Sequence, residues 1–375
     1  MKNRMIYAAG LLGLSLMLLT ACGKKKEDTA EDFFEEEMEE AEEEGGLDVE
    51  EIEEEEEEEL FYSLLTHEPV EEELTKKRPI SIMIENTTMA LPQYGINKAG
   101  IVYECPAEGG ITRFLALFDD YSGMDRIGNV RSCRPYYAYI AAEFDSIYLH
   151  YGQSVQGQEV LNSGIVDDLN GLDGAIEPIV YFRSSDKPAP HNAYTSTDGI
   201  NDGIEAKGYR TEINEDHEKG HFRFAEEENT LEDQEGEDAE VLSLYFPNDR
   251  PYYVYDEEEQ LYTRYQFGDT ETDANDGENV KAANLILQNV PSSVISGSYY
   301  LDINLNGSGT GKFLTRGKVV DISWSKNSNY DITHYFYENG DEIELNPGKT
   351  WVHLVENAGG ADCKTYATRE EFESN

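Results

Sequence analysis

The sequence predicts an α+β protein in two parts, the first mixing strands with helices and the second smaller, β-rich and antiparallel. Three observations carry this expectation. Residues 76–210 hold strands and helices without clean βα alternation, which argues against a doubly wound parallel sheet. From Val241 onward, short aromatic and β-branched runs are separated by turn signals such as Asn306–Gly307 and Asn339–Gly340–Asp341. Aromatics make up 11 % of the 375 residues, with 25 tyrosines, so the chain is not disordered throughout.

The elements follow in order. Residues 5–21 are apolar or small and uncharged, after the basic start Lys2–Asn3–Arg4. That stretch is short for a spanning helix and fits a signal peptide, residues 1–21. It ends at Leu19–Thr20–Ala21–Cys22, which matches a bacterial lipobox. Cys22 is the expected lipidation residue, and acyl chains there would anchor the protein to the membrane. A cleaved secretory signal followed by an incidental Cys is the other reading. Residues 27–73 carry 26 acidic residues and no Lys or Arg, so 22–75 reads as an acidic disordered tether.

The N-terminal part, 76–210, opens with strands at 80–84, 100–104 and 111–118. Pro135 starts a helix through Phe144. A strand at 146–150, a helix at 153–163, a strand at 179–183 and a helix at 197–207 complete it. Residues 211–240 read as an acidic linker or loop. The C-terminal part, 241–358, reads as a strand-and-turn meander, with 359–375 a tail.

The formal charge of -49 excludes ordinary nucleic-acid binding, because no cationic face replaces a duplex's counterions. In so acidic a chain the placement of arginines is informative. Arg113, Arg131 and Arg134 fall close together and converge if their elements are neighbours. Guanidinium forks bind carboxylate or phosphate through paired hydrogen bonds, and Gly109–Gly110 can turn backbone N–H groups toward an anion. Internal ion pairs with Glu85, Glu104, Glu108 or Asp119 are the competing reading.

Other candidates are weaker. His150 and His191 each end an element and are candidate proton carriers, with Glu104 and Glu108 as candidate acid/base groups. Joined to one of these carboxylates, the two histidines would make a metal site, but the spacing is not diagnostic, and neither metal nor cofactor is expected. Ser154 lacks the flanking glycines of a nucleophile elbow. Three cysteines follow Cys22. A Cys105–Cys133 disulfide and buried thiols both stay open. The alternating aromatics of the second part read as core and cross-strand pairs ahead of sugar-stacking platforms.

Several long words carry a resemblance: Ile101–Val102–Tyr103–Glu104, Ala107–Glu108–Gly109–Gly110–Ile111–Thr112–Arg113–Phe114, Val130–Arg131–Ser132–Cys133–Arg134–Pro135–Tyr136 and Pro190–His191–Asn192–Ala193–Tyr194–Thr195–Ser196. Arg316–Gly317–Lys318 and Leu345–Asn346–Pro347–Gly348–Lys349–Thr350–Trp351 continue it. Over residues 77–356 the chain resembles the YerB-like lipoprotein family, a bacterial domain of unknown function. The resemblance implies lipid-anchored surface proteins of Gram-positive bacteria, and a layered, sandwich-like α/β N-terminal domain with a smaller β-rich C-terminal one. It also adds weight to Glu108, Arg113, Arg131, Arg134, His191 and Asn192, which sit inside the matched words, with Asn192 joining Arg113, Arg131 and Arg134 as an expected anion-site residue. Cys133 stands where a small residue such as Ala is expected, which argues against a reactive thiol.

The expected function is that of a protein anchored at the outer face of the cytoplasmic membrane. It would bind an anionic cell-envelope ligand, such as a wall fragment, a phosphate-bearing polymer or a small carboxylate. The alternatives are an envelope hydrolase or transferase using Glu108 or Glu104 with His191, and a surface scaffold for protein partners.

Overall fold

The computed structural model describes residues 60–360 and 362–375. Cys22, the signal peptide and the acidic run to Glu59 lie outside them. Its backbone is an 11-stranded mixed sheet. From one edge the strands are Glu237–Asp238, Lys318–Lys326, Gly307–Thr315, Asn284–Val290, Thr350–Glu356, Ile101–Pro106, Thr112–Phe118, Ile80–Asn86, Ile147–His150 and Asp167–Asn170, and His334–Phe336 pairs with Lys318–Lys326. The second part of the chain therefore continues the sheet of the first. The joint is Thr350–Glu356, which runs parallel to Asn284–Val290 on one side and to Ile101–Pro106 on the other. The expected antiparallel meander holds for most second-part pairings, and this parallel strand is the departure from it.

Ile80–Asn86 and Thr112–Phe118 are buried at every position. Strands covered on both faces read as apolar runs rather than alternations. Side chains still alternate between the faces. Ile80, Ile82 and Ile84 enter one core with Phe114, Trp351, Tyr253 and Leu242. Met83 and Leu115 enter the other with Tyr136, Tyr137 and Ile140 of the helix Pro135–Glu143. On the first face lie a six-stranded sheet, which includes Val241–Ser243, Tyr252–Asp256 and Leu261–Gln266, and the helix Thr197–Lys207.

That helix has the predicted ends for local reasons. The Ser196 side chain accepts from Gly199 N–H, Asp198 favours the positive N-terminus, and Gly208 at φ 65° closes the C-terminus. Ile200, Gly203 and Ile204 face inward. Gly203 is needed because a Cβ there would lie 2.3 Å from Val180 Cγ2.

Three boundaries differ from the sequence reading. The fold begins near residue 60: Phe61–Tyr62 pairs with Pro69–Val70, and Leu65 is 2 % exposed. The acid density around this segment hid a short apolar docking unit. At the other end, Lys364–Tyr366 pairs with Val241–Ser243, so the last residues are part of a sheet. Asp167–Asn170 is an edge strand whose acidic composition reads as loop. Cys105 and Cys133 are buried thiols.

At the centre lies Arg264, fully buried. It donates from Nε to Glu271 Oε2 at 2.6 Å and from Nη1 to Tyr253 OH at 2.8 Å, and its Nη2 lies 3.0 Å from Glu104 Oε2. Its guanidinium stands 4.6 Å from the Trp351 ring centre, with Phe114 and Tyr253 at 5.3 Å. Burial opposes the charge, but Glu104, Tyr253 and Glu271 outweigh it and hold the guanidinium's pKa above its usual value. For Glu104, burial acts upward, and Arg264 with His353 brings the carboxyl below its ordinary range. Glu271 shares the same cation, and burial with the Glu104 and Asp249 charges pushes it up to about 7.

Replacing one member of such a network strands its partners. Arg264→Met should lower unfolding free energy by about 3–5 kcal/mol in urea denaturation. Glu271 has a second signature. Its folded pKa of about 7 exceeds its ordinary 4.5, so its contribution is complete below the unfolded value and is lost as pH rises toward 7. Glu271→Gln should therefore match the parent near pH 4 and gain on it steadily up to pH 7.

Candidate functional site

The site forms where the Ile80–Asn86 and Thr112–Phe118 strands end. Glu85 and Arg113 are register partners there, on the face shared with Met83 and Leu115. The loop 129–134 extends this edge: Glu85 N–H donates to Asn129 O at 2.9 Å and Arg131 N–H to Met83 O at 3.0 Å. Gly128 permits the approach, because at φ 136° a Cβ would sit 2.8 Å from Val130 N. Asn129 donates to Tyr194 OH at 2.7 Å and also to His191 O, tying the loop to the Pro190–His191–Asn192 segment. Pro135 then starts the helix, which places Arg134 at its N-terminus beside the Glu108–Gly110 turn.

Glu108 takes the Arg134 fork, with Nε to Oε1 at 2.5 Å and Nη2 to Oε2 at 2.8 Å. Burial raises the Glu108 carboxyl, but Arg134 and Arg113 outweigh it and hold it below its ordinary range. Arg113 donates from Nη1 to Ser132 O at 2.9 Å and lies 4.0 Å from Glu108 Oε2. Arg131 donates from Nη1 to Pro190 O at 3.1 Å, with its Nε 3.5 Å from Glu85 Oε2. Glu85 Oε1 meets His191 Nδ1 at 2.6 Å. Asn192 accepts from Arg183 Nη1 at 2.8 Å and donates to Ser184 O at 2.9 Å, so it holds a fourth arginine toward the group.

The cations outnumber the anions. Arg113, Arg131 and Arg134 share Glu85 and Glu108, and Arg183 adds its charge to Arg131 from the Asn192 side. Burial lowers the Arg131 pKa, and repulsion from Arg113, Arg134 and Arg183 adds to it, with Glu85 acting in the other direction. The Nε atoms of Arg113 and Arg131 are buried without a hydrogen-bond partner, and so is Glu85 Oε2. Exposure rises across the group, from 6 % for the Arg113 side chain to 19 % for Arg131 and 22 % for His191.

The predicted residues thus divide. Arg113, Arg131, Arg134, Glu108, His191 and Asn192 come together. Glu104 does not: it is fully buried in the Arg264 network, where His353 Nδ1 lies 3.1 Å away and Thr112 donates to it at 2.7 Å. His150 is buried too, with Nδ1 at 2.9 Å from Gly152 O and Nε2 at 3.1 Å from Asp168 Oδ2. His150, His191 and Glu104 have separate partners, and no three His, Cys, Asp or Glu side chains among the described residues are placed to hold a metal. The sequence reading weighed Glu85 only as an ion-pair partner or one of a carboxylate pair with Glu104 or Glu108, and did not single out Arg183, although Arg183 closes the strand before the proline loop. A cleft of about 880 Å³ lies elsewhere and is lined by residues including His67, Arg223, Glu227 and Glu342.

Glu108→Gln should cost about 1.5–3 kcal/mol in urea denaturation, the range for a hydrogen bond to a charged group, because it breaks the fork to Arg134.

Comparison with known proteins identifies the family. The N-terminal domain model of the "Protein of unknown function (DUF3048)" family matches residues 65–210, and its C-terminal domain model matches 242–352. The chain is 32 % identical over 300 residues to the "Putative lipoprotein YerB" of Bacillus subtilis (strain 168), covering 78 % of this chain and 85 % of that one. The crystal structure of the Bacillus subtilis YerB protein superposes with a TM-score of 0.69 at 31 % identity, covering 79 % of this chain and 96 % of the other. The two matched regions are the two parts joined by the central sheet, and the chain belongs to the YerB-like DUF3048 family.

Proposed function

We propose that this protein is a lipid-anchored, extracytoplasmic binding protein that holds a carboxylate- or phosphate-bearing envelope ligand at Arg113, Arg131, Arg134 and Arg183. The carrying observation is the imbalance at the site: Arg113, Arg131 and Arg134 share Glu85 and Glu108, Arg183 adds a fourth positive charge that acts on Arg131, the buried Arg113 Nε lacks a hydrogen-bond partner, and the Arg131 Nε has only the Glu85 ion pair at 3.5 Å. A buried donor without an acceptor is costly, and an entering anion would relieve that cost and the repulsion together. Glu108 fixes Arg134, Asn192 fixes Arg183, and His191 supplies a donor at the rim. The partial positive charge of the helix N-terminus at Arg134 acts in the same sense.

Anchoring rests on the Cys22 lipobox and on the name of the Bacillus relative. The acidic run to Glu59 would serve as the spacer between membrane and fold. Cys22→Ser should move the protein from the membrane fraction to the medium or the soluble fraction. Retention in the membrane would remove the anchoring claim.

The binding claim is tested by thermal unfolding of the detergent-solubilised full chain against inorganic phosphate, glutarate and a chloride control, with Arg131→Ala in parallel. A ligand at about 100 times its Kd stabilises by roughly 2.7 kcal/mol, a shift of several degrees. The shift should appear with the anions and vanish in the variant. No shift with any anion in the parent would overturn the reading.

One observation favours a second reading, an envelope hydrolase or transferase. The His191 side chain is 22 % exposed, and its Nδ1 is held by buried Glu85 at 2.6 Å, an orientation that leaves Nε2 for proton transfer. Turnover of phosphate or glycosyl esters that is abolished by His191→Ala would establish it.

A further inference from the structure

The arginine group has aromatic neighbours at both ends. At one end the Arg183 guanidinium stands 4.6 Å from the Tyr151 ring centre. At the other the Arg134 guanidinium stands 5.0 Å from the Tyr300 ring. Tyr300 belongs to the hairpin that pairs Ser292–Val294 with Leu301–Ile303, and the Leu301–Ile303 strand packs on the helix Pro135–Glu143. Tyr299 lies beside Tyr300, ring centres 4.5 Å apart and hydroxyls 3.2 Å apart, and it is 70 % exposed. Tyr330 is 76 % exposed. Among the described tyrosines only Tyr62, Tyr299 and Tyr330 are exposed, so an open ring beside the arginine group is an exception.

An exposed tyrosine offers a flat apolar face and a polar tip at little conformational cost. Sites that bind a specific small molecule combine such faces with a few placed polar groups. A bare inorganic anion has no use for the rings. A flat aromatic ligand would use them but has no need of four guanidinium groups. A pyranose carrying an acid group uses both, because its C–H face stacks on a ring while its acid group reaches the arginines.

We propose that the ligand is an acidic glycan, one sugar's carboxylate or phosphate held by Arg131 and Arg134 and an adjoining ring stacked on Tyr299 and Tyr300. This rests on the anion-site reading and narrows it to a ligand class.

The test is calorimetric titration of the full chain in detergent with three probes. These are inorganic phosphate, a tetrasaccharide of alternating glucuronic acid and N-acetylglucosamine, and neutral chitotetraose. The acidic tetrasaccharide should bind at least about tenfold more tightly than phosphate, and chitotetraose at least about tenfold more weakly than the acidic tetrasaccharide. In Tyr299→Ala the ratio of tetrasaccharide to phosphate affinity should fall about tenfold. Phosphate binding without a tetrasaccharide advantage, or a ratio unmoved by Tyr299→Ala, would overturn the glycan inference and leave the anion site standing. Chitotetraose binding as tightly as the acidic sugar would also overturn it. Failure of every probe would remove the anion site and this inference with it.

Discussion

The structure depends on one buried cation. Arg264, in the six-stranded sheet, reaches Glu104 in the central sheet, and His353 meets the same carboxylate from the joining strand. Glu104 and Arg264 belong to the two separately matched regions. A fully buried arginine between two carboxylates is unfavourable in any arrangement that leaves one of them alone. In the docked arrangement both carboxylates face the cation, and Trp351 and Phe114 stand against the guanidinium. That contact joins the second part to the Ile101–Pro106 strand, the neighbour of Thr112–Phe118.

The candidate site begins at that same strand. Arg113 lies one residue after Thr112, whose hydroxyl donates to Glu104. The two charged groups therefore sit on opposite faces of adjacent positions, with opposite character. Arg264 is closed off and fully engaged by its partners. The site arginines are crowded and incompletely paired, with Arg113 and Arg134 buried and Arg131 partly so. Stability alone explains the first arrangement. It does not explain the second, in which like charges are held together by a loop braced through Asn129 and Gly128. Excess positive charge in a chain this acidic is a feature kept against the general trend of its composition.

Much of this was legible in the sequence. The helix at 197–207 was readable to the residue because its ends are written locally in Ser196 and Gly208. The three arginines were readable as a group because they fall close together in a chain where arginine is scarce. The Arg264 network was not. Leu261–Gln266 alternates like any strand, and nothing in the sequence near Glu104 announces a partner 160 residues away. Glu104 therefore looked like Glu108, a carboxylate beside a strand end. The same limit hid Leu65 and Lys364–Tyr366, whose burial and pairing come from distant strands rather than from local pattern.

The most direct measurement is a crystal structure of the protein grown with selenate, a tetrahedral dianion located by its anomalous signal. The account predicts a selenium peak within hydrogen-bond reach of Arg131 and at least one of Arg113, Arg134 or Arg183, with Glu108 still holding Arg134. A well-ordered cluster with no peak, its guanidinium groups instead paired to Glu85 and Glu108 alone, would contradict it.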